Sequence, residues 1–225
     1  MIDSHCHILP GMDDGSKSAE QSVAMLRMEL ENGIDRVVLT PHFYAQQNSP
    51  RQFLKRRQAA WERLQEALPE GMPRMIMGAE VQYFEGICGT EELHELCIQG
   101  TDLLLLEMPE QKWTSRMIRD VAELQDREDM TVMLAHIERF LTCTDEKTWD
   151  YLRRCGVLMQ INASFLTGFW TKSKAKRMLR QGKVHFLGSD AHNLTDRKPN
   201  LTPALSCGHP LRGEPLLQQA FENLK

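Results

Sequence analysis

The sequence predicts an α/β fold in which parallel strands form a distorted seven-stranded (β/α)7, TIM-like barrel. Short apolar runs recur along the chain, stretches with helical periodicity lie between them, and six of the seven runs end in a group that can bind a metal. Continuous apolar runs of this length are typical of strands buried on both faces. Their alternation with amphipathic stretches favours a parallel sheet. An open, doubly wound sheet stays an alternative, because a single sequence does not reveal strand order.

The predicted strands are distributed over the whole chain, from which we predict one domain covering residues 1–225. The runs are 1–2, 36–40, 74–77, 102–106, 131–135, 157–161 and 184–188. Amphipathic stretches at 18–32, 50–68 and 114–125 predict helices, and the first is followed by a helix stop at Asn32-Gly33.

Composition and charge exclude several classes of function. The chain has 27 Lys and Arg against 31 Asp and Glu, a net charge of −4, so we expect no binding to nucleic acid or to anionic membranes. No apolar run approaches the ~20 residues that span a bilayer, and the N-terminus lacks a basic segment followed by an apolar one. We therefore expect a cytoplasmic protein without membrane insertion. The six cysteines form no C-x-x-C pair, so we expect reduced thiols.

Candidate metal ligands follow the apolar runs. They are His5 and His7, His42, Glu80, Glu107, His136, and Asp190 with His192. In a parallel barrel the carboxyl ends of all strands share one rim, which would bring these groups together. Histidines two residues apart on an extended chain project from the same face. Mixed nitrogen and oxygen ligands suit manganese, iron or zinc.

Each of these residues also has an ordinary explanation. An isolated His-x-His is often a chance pair, Glu80 and Glu107 could be exposed loop acids, and Asp13 or Asp14 before Gly15-Ser16 could be a helix N-cap. These explanations do not account for the presence of a potential metal ligand after six of the seven predicted strands. We assign no role to the remaining histidines, which are His94, His185 and His209.

Six motifs occur in an order that resembles a known family. They are Asp3-x-His5-x-His7, Asp13-Asp14-Gly15, Thr40-Pro41-His42, Gly78-Ala79-Glu80, His136-Ile137-Glu138-Arg139 and Ser189-Asp190-x-His192-Asn193. Together they resemble the polymerase and histidinol phosphatase (PHP) superfamily. More closely, they are similar to its CpsB/YwqE branch, the bacterial manganese-dependent protein-tyrosine phosphatases of capsule and exopolysaccharide systems. The resemblance runs from residue 1 to about Pro199, after which the chain is shorter than in many relatives.

The resemblance implies a distorted barrel holding three divalent ions, with manganese favoured and iron or zinc as alternatives. It implies that His5, His7, Glu80 and Asp190 hold the first ion. Glu80 would bridge to a second ion held by Glu107 and His136, and Asp14, His42 and His192 would hold the third. Asp14 stands where other branches often carry a histidine, which favours the phosphotyrosine branch. The implied partner is the tyrosine-rich tail of a membrane-associated bacterial tyrosine kinase.

Phosphate-ester hydrolysis also follows from the residues themselves. Clustered divalent ions lower the pKa of a bound water and neutralise phosphoryl oxygens. Arg139 and Arg197 are the candidates for gripping the phosphate, because a guanidinium presents a paired fork to two oxygens. The ordinary alternatives are an ion pair of Arg139 with Glu138 and a solvated loop for Arg197. Aromatic residues just past the ligands could stack on a phenol ring or merely pack: Phe43, Tyr44 and Phe84.

Other mechanisms and functions were weighed against this prediction. No arginine follows any cysteine by six places, so a thiol-based tyrosine phosphatase is excluded. A small-molecule phosphatase, acting for example on histidinol phosphate, would use nearly the same metal set. A nuclease conflicts with the acidic net charge. A metal-binding regulatory module is the non-enzyme alternative, and the oligomeric state is left open.

Overall fold

The computed structural model describes residues 1–201, 211 and 213–223, and its strands match the seven predicted runs. Two further short strands, β3 and β5, begin shortly after β2 and β4 end. The strands are β1 (Ile2–Cys6), β2 (Arg36–Leu39), β3 (His42–Phe43), β4 (Arg74–Met77), β5 (Glu80–Gln82), β6 (Leu103–Glu107), β7 (Thr131–Leu134), β8 (Leu158–Asn162) and β9 (Phe186–Gly188).

The helices lie between the strands, as the alternating pattern predicts. They are α1 (Ala19–Glu31), α2 (Pro50–Ala67), α3 (Ser115–Gln125), α4 (Glu146–Arg154), α5 (Ala163–Thr167), α6 (Lys172–Arg180) and α7 (Glu214–Asn223), with 3-10 helices at Ile87–Gly89, Glu91–Leu96 and Ile137–Phe140. Within the described residues, no helix has both the length and the apolar character needed to cross a bilayer.

The three helices predicted from periodicity are confirmed, and their ends have local causes. The side chains of Ser18, Ser49 and Thr114 each accept a backbone N–H of the first turn, as N-caps of α1, α2 and α3. Ser49 forms a capping box with Gln52, and Pro50 supplies the preset φ angle of a first helical residue.

All strand pairs are parallel, but the strands divide into two sheets. One has the order β1-β2-β4 and the other β3-β5-β6-β7-β8-β9. The predicted parallel α/β fold is confirmed as a curled parallel sheet, whereas a single uninterrupted seven-stranded barrel is not. The break between β2 and β3 falls at Thr40-Pro41, where proline lacks the N–H that a ladder needs. At the ends of the two sheets, Cys6 and Ala191 form an isolated parallel bridge.

Alternation along the strands separates two buried clusters. In β6, Leu103 and Leu105 belong to a smaller inner cluster, whereas Leu104 and Leu106 pack in the larger outer one against the helices. The inner face of β6 then continues two residues on, to Glu107. The inner cluster therefore ends where the candidate ligands begin, since side chains on one face of a strand recur with a period of two.

The C-terminal helix contributes to the inner cluster from the opposite end. Leu217, Ala220 and Phe221 of α7 are buried with Ile2 and Ile76, which lie at the start of β1 and within β4. The apolar end of the curled sheet is thus covered by α7, and the polar end stays available for chemistry. Two residues considered above, Cys207 and His209, lie outside the described residues.

Candidate metal centre

The structure brings all nine predicted ligands into one cluster at the carboxyl ends of the strands. Donor atoms lie within 4.8 Å of one another in four groups, which are His7–His42–His192, His5–His7–Asp190, His5–Glu80–His136 and His42–Glu80–Glu107. Asp14 completes the set, because its Oδ1 atom lies 3.4 Å from Nε2 of His192 and 3.7 Å from Nε2 of His42. The role of these residues as ligands stays a prediction, whereas their convergence is observed.

Strand register explains part of this convergence. His42 on β3 pairs directly with Glu80 on β5, and Gln82 pairs with Glu107 on β6. On β1 the register with β2 shifts between Asp3 and Cys6. After this irregularity His5 and His7 point into the cluster, and Cys6 is buried in the outer core.

Glu80 lies at the centre of the cluster and is completely buried. Its Oε2 atom is 3.2 Å from Nε2 of His5, 3.1 Å from Nε2 of His7 and 3.0 Å from Nδ1 of His42. Its Oε1 atom is 2.8 Å from Nε2 of His136. One carboxylate thus contacts four imidazoles that come from four different segments of the chain.

Several buried polar atoms in the cluster are left without a hydrogen-bond partner among the described residues. They include Nδ1 of His42 and Nε2 of His192, which lie 3.0 Å and 3.4 Å from carboxylate oxygens without the geometry of a hydrogen bond. Buried polar atoms are almost always paired, and unpaired ones indicate a missing water or ion. Imidazole nitrogens and carboxylate oxygens facing one another suit a divalent cation of intermediate hardness. The residues present therefore fit metal ions.

The orientation of two histidines is set by partners that present Nε2 to the cluster. Nδ1 of His7 donates to Oδ2 of Asp13 at 2.8 Å, and Nδ1 of His192 donates to the backbone oxygen of Asp190 at 2.9 Å. Asp13 also accepts the backbone N–H groups of Gly15 and His42. Asp13 is therefore a positioning residue, whereas the N-cap of the following helix is Ser18, and such partners are a regular part of metal sites.

Strand β8 supports the site without supplying a predicted ligand. Oε1 of Gln160 accepts the backbone N–H of His136 at 2.6 Å and lies 3.3 Å from Nδ1 of His5. Nε2 of Gln160 donates to Asn162, whose Nδ2 donates to Asp190 at 2.8 Å. Sequence reasoning missed both residues. The available signal was two amide side chains, two positions apart, at the end of an otherwise apolar run.

Backbone strain in the described residues coincides with the same site. Two non-glycine residues have positive φ angles, His136 at 26° and Asp190 at 53°. Such conformations are disfavoured for L-residues and persist where the surrounding structure imposes them, often at functional sites.

The buried charges perturb one another strongly. Burial alone would lower the pKa of His7, but hydrogen bonds to Asp13 and Glu80 raise it to about 10. Burial tends to raise the pKa of Glu80, yet the neighbouring charges of His5 and His42 hold it well below its usual value. Burial and the charge of Glu80 raise the pKa of Glu107 to about 7. Burial would also lower the pKa of His5, but the charge of Glu80 raises it, so protons on His5 and His7 balance buried carboxylates in the protein alone.

The two predicted arginines flank Asp190 at the mouth of the site. Arg139 donates to Oδ2 of Asp190 and lies 3.9 Å from Glu107, while Arg197 donates to Oδ1 of Asp190 at 3.1 Å. Each side chain is 37% exposed, so both guanidinium groups line the opening. Arg139 thus pairs with Asp190 and not with Glu138, which was the alternative. The carboxylate of Glu138 instead accepts the backbone N–H of Asn162.

A groove of about 660 Å³ lies beside the cluster, formed by the segments that follow β3, β5 and β6. Its lining includes Tyr83, Phe84 and Met117. Of the aromatic residues considered for ring stacking, Phe84 lines this groove and Tyr44 stacks on His42 at 5.1 Å. Phe43 instead packs in the core against Phe53.

The remaining histidines and cysteines of the described residues lie outside the cluster. His94 is half exposed, and Nδ1 of His185 accepts the backbone N–H of Met159. Burial raises the pKa of the Cys6, Cys88 and Cys97 thiols. A nucleophilic cysteine requires the opposite shift.

Comparison with known proteins identifies the family of this chain. The family described as capsular polysaccharide synthesis, CpsB/CapC, matches residues 1–222. This chain belongs to that family.

Individual members of the family are similar over most of their length. Tyrosine-protein phosphatase YwqE of Bacillus subtilis is 30% identical over 213 residues, 91% of this chain and 82% of the relative. Tyrosine-protein phosphatase CpsB of Streptococcus agalactiae is 26% identical and covers 91% of this chain and 88% of the relative.

A solved structure extends the similarity to three dimensions. It comes from crystal structures of YwqE from Bacillus subtilis and CpsB from Streptococcus pneumoniae, named as metal-dependent tyrosine phosphatases. The TM-score is 0.74 at 26% identity, over 99% of this chain and 92% of that chain. The fold observed here is therefore that of the family.

Proposed function

We propose that this chain is a metal-dependent tyrosine-protein phosphatase that acts in capsular polysaccharide synthesis. The observation that carries the proposal is the cluster of nine His, Asp and Glu side chains with unpaired buried donor atoms, in a chain of this family. The relatives named above are tyrosine phosphatases, and the site gathers His, Asp and Glu side chains of the kinds that bind divalent cations.

Three divalent ions are proposed for the site, with manganese favoured over iron or zinc. His5, His7, Glu80 and Asp190 would hold the first, Glu80, Glu107 and His136 the second, and Asp14, His42 and His192 the third. Such ions supply a bound water of lowered pKa and neutralise phosphoryl charge. The shared position of Glu80 supports a bridge, because both of its oxygens contact imidazoles.

Arg139 and Arg197 are proposed to bind the phosphoryl oxygens. Both guanidinium groups now contact Asp190, and both stay partly exposed at the mouth. If Asp190 is a metal ligand, its negative charge is shared with the ion and its hold on the arginines weakens. The paired N–H donors of each arginine are then available to a substrate phosphate.

The groove supports a protein substrate over a small metabolite. A cavity of about 660 Å³ with Tyr83, Phe84, Pro109 and Met117 in its wall can accept an aromatic ring together with flanking peptide. We propose that the substrate is the phosphotyrosine-bearing tail of a bacterial tyrosine kinase, in keeping with the capsule family.

We also propose that the two sheets function as one distorted seven-stranded barrel, with β2–β3 and β4–β5 each forming one interrupted strand. The backbone N–H of Asp190 donates to the oxygen of His5 at 2.8 Å, and Oγ of Ser4 donates to the oxygen of Leu187 at 2.7 Å. These bonds join β1 to the β9 end. Slow hydrogen exchange at the Asp190 amide is expected, and fast exchange would contradict closure.

The test of function is hydrolysis by the purified protein, with manganese and then with a chelator. The substrates are a phosphotyrosine peptide and histidinol phosphate, and His136→Ala is the inactive control. Metal-dependent release of phosphate mainly from the peptide is the expected result. Preferred turnover of histidinol phosphate would move the enzyme to small-molecule chemistry. No turnover of either substrate, with metal shown to be bound, would contradict the phosphatase assignment.

A further inference from the structure

Two aromatic side chains project from the loop between α5 and α6. Phe169 is 87% and Trp170 is 88% exposed, whereas the other exposed large hydrophobic side chains of the described residues reach at most 45%. The two rings contact each other edge to face, with centroids 4.9 Å apart. Adjacent large apolar side chains that are nearly free of contacts indicate a binding surface. We call Phe169 and Trp170 the aromatic tip.

A block of positive charge adjoins the aromatic tip. Residues 163–189 contain six Lys or Arg and no Asp or Glu, although acids outnumber bases in the chain as a whole. Five of the six lie on α6, and none of these five forms an ion pair within the part of the chain that the structure describes: Lys172, Lys174, Lys176, Arg177 and Arg180. We expected no affinity for anionic membranes because the whole chain has a net charge of −4. That total hides the local excess of positive charge on α6.

Helix α6 presents these charges outward because its two faces are chemically distinct. Ala175, Met178 and Leu179 are buried against the protein, and the side chains of Lys172, Lys174, Arg177 and Arg180 are exposed on the other side. Lysines and arginines along an exposed helix face attract anionic lipid headgroups, and exposed Trp and Phe rings favour the interface between water and the bilayer.

The aromatic tip lies at the same end of the sheet as the metal centre. Helix α5 starts at Ala163, directly after Asn162, which is the last residue of β8 and whose side chain contacts Asp190. Helix α6 then runs back toward the start of β9, and its nine residues span about 13 Å. The loop before α6 therefore belongs to the rim that carries the site.

We propose that the aromatic tip and α6 form a docking surface for an anionic lipid bilayer. Trp and Phe at the tip would enter the headgroup region, where aromatic rings are favoured, and the cations of α6 would contact lipid phosphates. Rings that are 87% and 88% exposed project from a convex surface, which suits insertion into a bilayer interface. A bound peptide would instead require a concave groove, such as the one beside the metal centre.

Docking in this way turns the rim of the sheet toward the bilayer. The site would then act on phosphorylated segments held close to the membrane. This inference does not depend on the proposed phosphatase activity, because lipid binding requires neither metal nor turnover.

The experiment is co-sedimentation of the full chain with vesicles of equimolar phosphatidylglycerol and phosphatidylcholine, and with vesicles of phosphatidylcholine alone. Trp170 provides a second readout, because Trp113 and Trp149 are buried and Trp61 is partly buried. We expect binding to the anionic vesicles, with a blue shift of tryptophan fluorescence. Raising the ionic strength from about 0.1 to about 0.5 M should weaken vesicle binding, since salt screens exposed charges.

Two variants locate the binding surface. Phe169→Ser/Trp170→Ser should abolish the blue shift and weaken binding at least about tenfold, and Lys172→Gln/Lys174→Gln should weaken it by about tenfold or more. The matched control is Arg51→Gln/Lys55→Gln on α2, which removes the same charge from another exposed helix and should bind like the unmodified protein. All three should hydrolyse a soluble phosphotyrosine peptide at the rate of the unmodified protein.

Several results would overturn the proposal. These are absence of binding to anionic vesicles, equal binding to both vesicle types, and equal losses in the α2 and α6 variants. A vesicle-free dimer that dissociates in Phe169→Ser/Trp170→Ser would instead assign the aromatic tip to a second copy of the chain. If the unmodified protein bound anionic vesicles but did not hydrolyse the peptide, the proposed function would be rejected and the docking surface would stand.

Discussion

Individual side chains in the metal centre depend on partners that decide which atom faces the cluster. Asp13 holds Nδ1 of His7, and the backbone oxygen of Asp190 holds Nδ1 of His192. In both rings Nε2 is left for a cation, because an imidazole nitrogen that donates a hydrogen bond cannot also bind a metal. The histidines were predictable from their place after apolar runs, whereas the partner of each ring was not.

The role of Asp13 predicts the effect of replacing one oxygen by an amide. The two carboxylate oxygens of Asp13 accept hydrogen bonds from His7, His42 and Gly15. In Asp13→Asn an NH2 group, which can only donate, replaces one of these oxygens. We expect metal affinity to fall about 10- to 100-fold, measured by manganese titration. Asp145→Asn, the same change at the N-cap of α4, is the control and should bind metal normally. Equal affinity in both variants would show that Asp13 does not position His7.

The raised pKa of His7 predicts how pH affects the metal-free protein. Its pKa is raised from an ordinary value of 6.5 to about 10, so the folded state binds this proton more tightly than the unfolded state does. The resulting stabilisation is complete below about pH 6.5 and is lost as pH rises toward 10. The pKa of Glu107 is also raised, to about 7, so its protonated form likewise stabilises the fold and this stabilisation is lost as the pH rises through about 7.

Thermal unfolding of the metal-free protein should therefore occur at lower temperature as pH increases from about 6.5 to about 9. The affinity for manganese should increase over the same window, because metal binding displaces the protons. Calorimetry in buffers of different ionisation enthalpy would detect the released protons. A flat stability profile together with pH-independent affinity would contradict the assigned protonation of His7.

At the scale of elements, the strands deliver ligands through register and close approach. His42 stands beside Glu80 because β3 and β5 pair in that register. Strand β8 contributes Gln160 and Asn162, which connect His5, His136 and Asp190. Apolar periodicity predicted where the strands are, but the pairing that makes these amides part of the site joins residues far apart in sequence.

Gly188 at the end of β9 is required for this close approach. A Cβ atom there would lie 2.6 Å from Cβ of His5 and 2.9 Å from Nε2 of Gln160. Gly188→Ala should therefore displace His5, lower metal affinity and destabilise the fold by about 1–3 kcal/mol, measured by metal titration and denaturant unfolding. Gly89→Ala is the matched control, since nothing lies within 4 Å of its Cβ position. Identical behaviour of the two variants would show that β1 and β9 can separate without affecting the site.

At the scale of the whole molecule, the candidate ligands come from residues 5 to 192 and from both sheets. The cluster connects the polar end of the curled sheet, together with the bridge between Cys6 and Ala191 and the hydrogen bonds beside it. Bound cations would hold the strand ends together against the mutual repulsion of the buried carboxylates. The opposite, apolar end of the sheet is covered by α7, whose apolar side chains are buried against the strands.

Metal removal should therefore lower the stability of the whole fold. At a free manganese concentration of about 100 times Kd, mass action contributes about 2.7 kcal/mol. For a chain of this length this corresponds to a Tm increase of about 5–10 °C over the chelated protein, measured by differential scanning calorimetry. Glu80→Gln should reduce the increase. The same Tm with and without manganese, at confirmed occupancy of the unmodified protein, would contradict a structural contribution of the ions.

Apart from Asp14, which only the family resemblance indicates, the sequence by itself predicted the candidate ligands, seven of the nine strands and three of the helices. These follow from local patterns: apolar runs, caps such as Ser49, and side chains such as Glu80 that come directly after a strand. Local patterns carry this information because the period at which apolar side chains recur and the residues that cap a helix are set by residues close together in sequence.

Only the tertiary structure decided how these parts meet. It divided the strands between two sheets, placed Asp13 and Gln160 behind the histidines, and left Trp170 and most of the cations of α6 exposed. A contact such as that of Asn162 with Asp190 depends on strand register and on the path of the chain between them. Sequence periodicity does not encode that path, because the same pattern is compatible with several registers and strand orders.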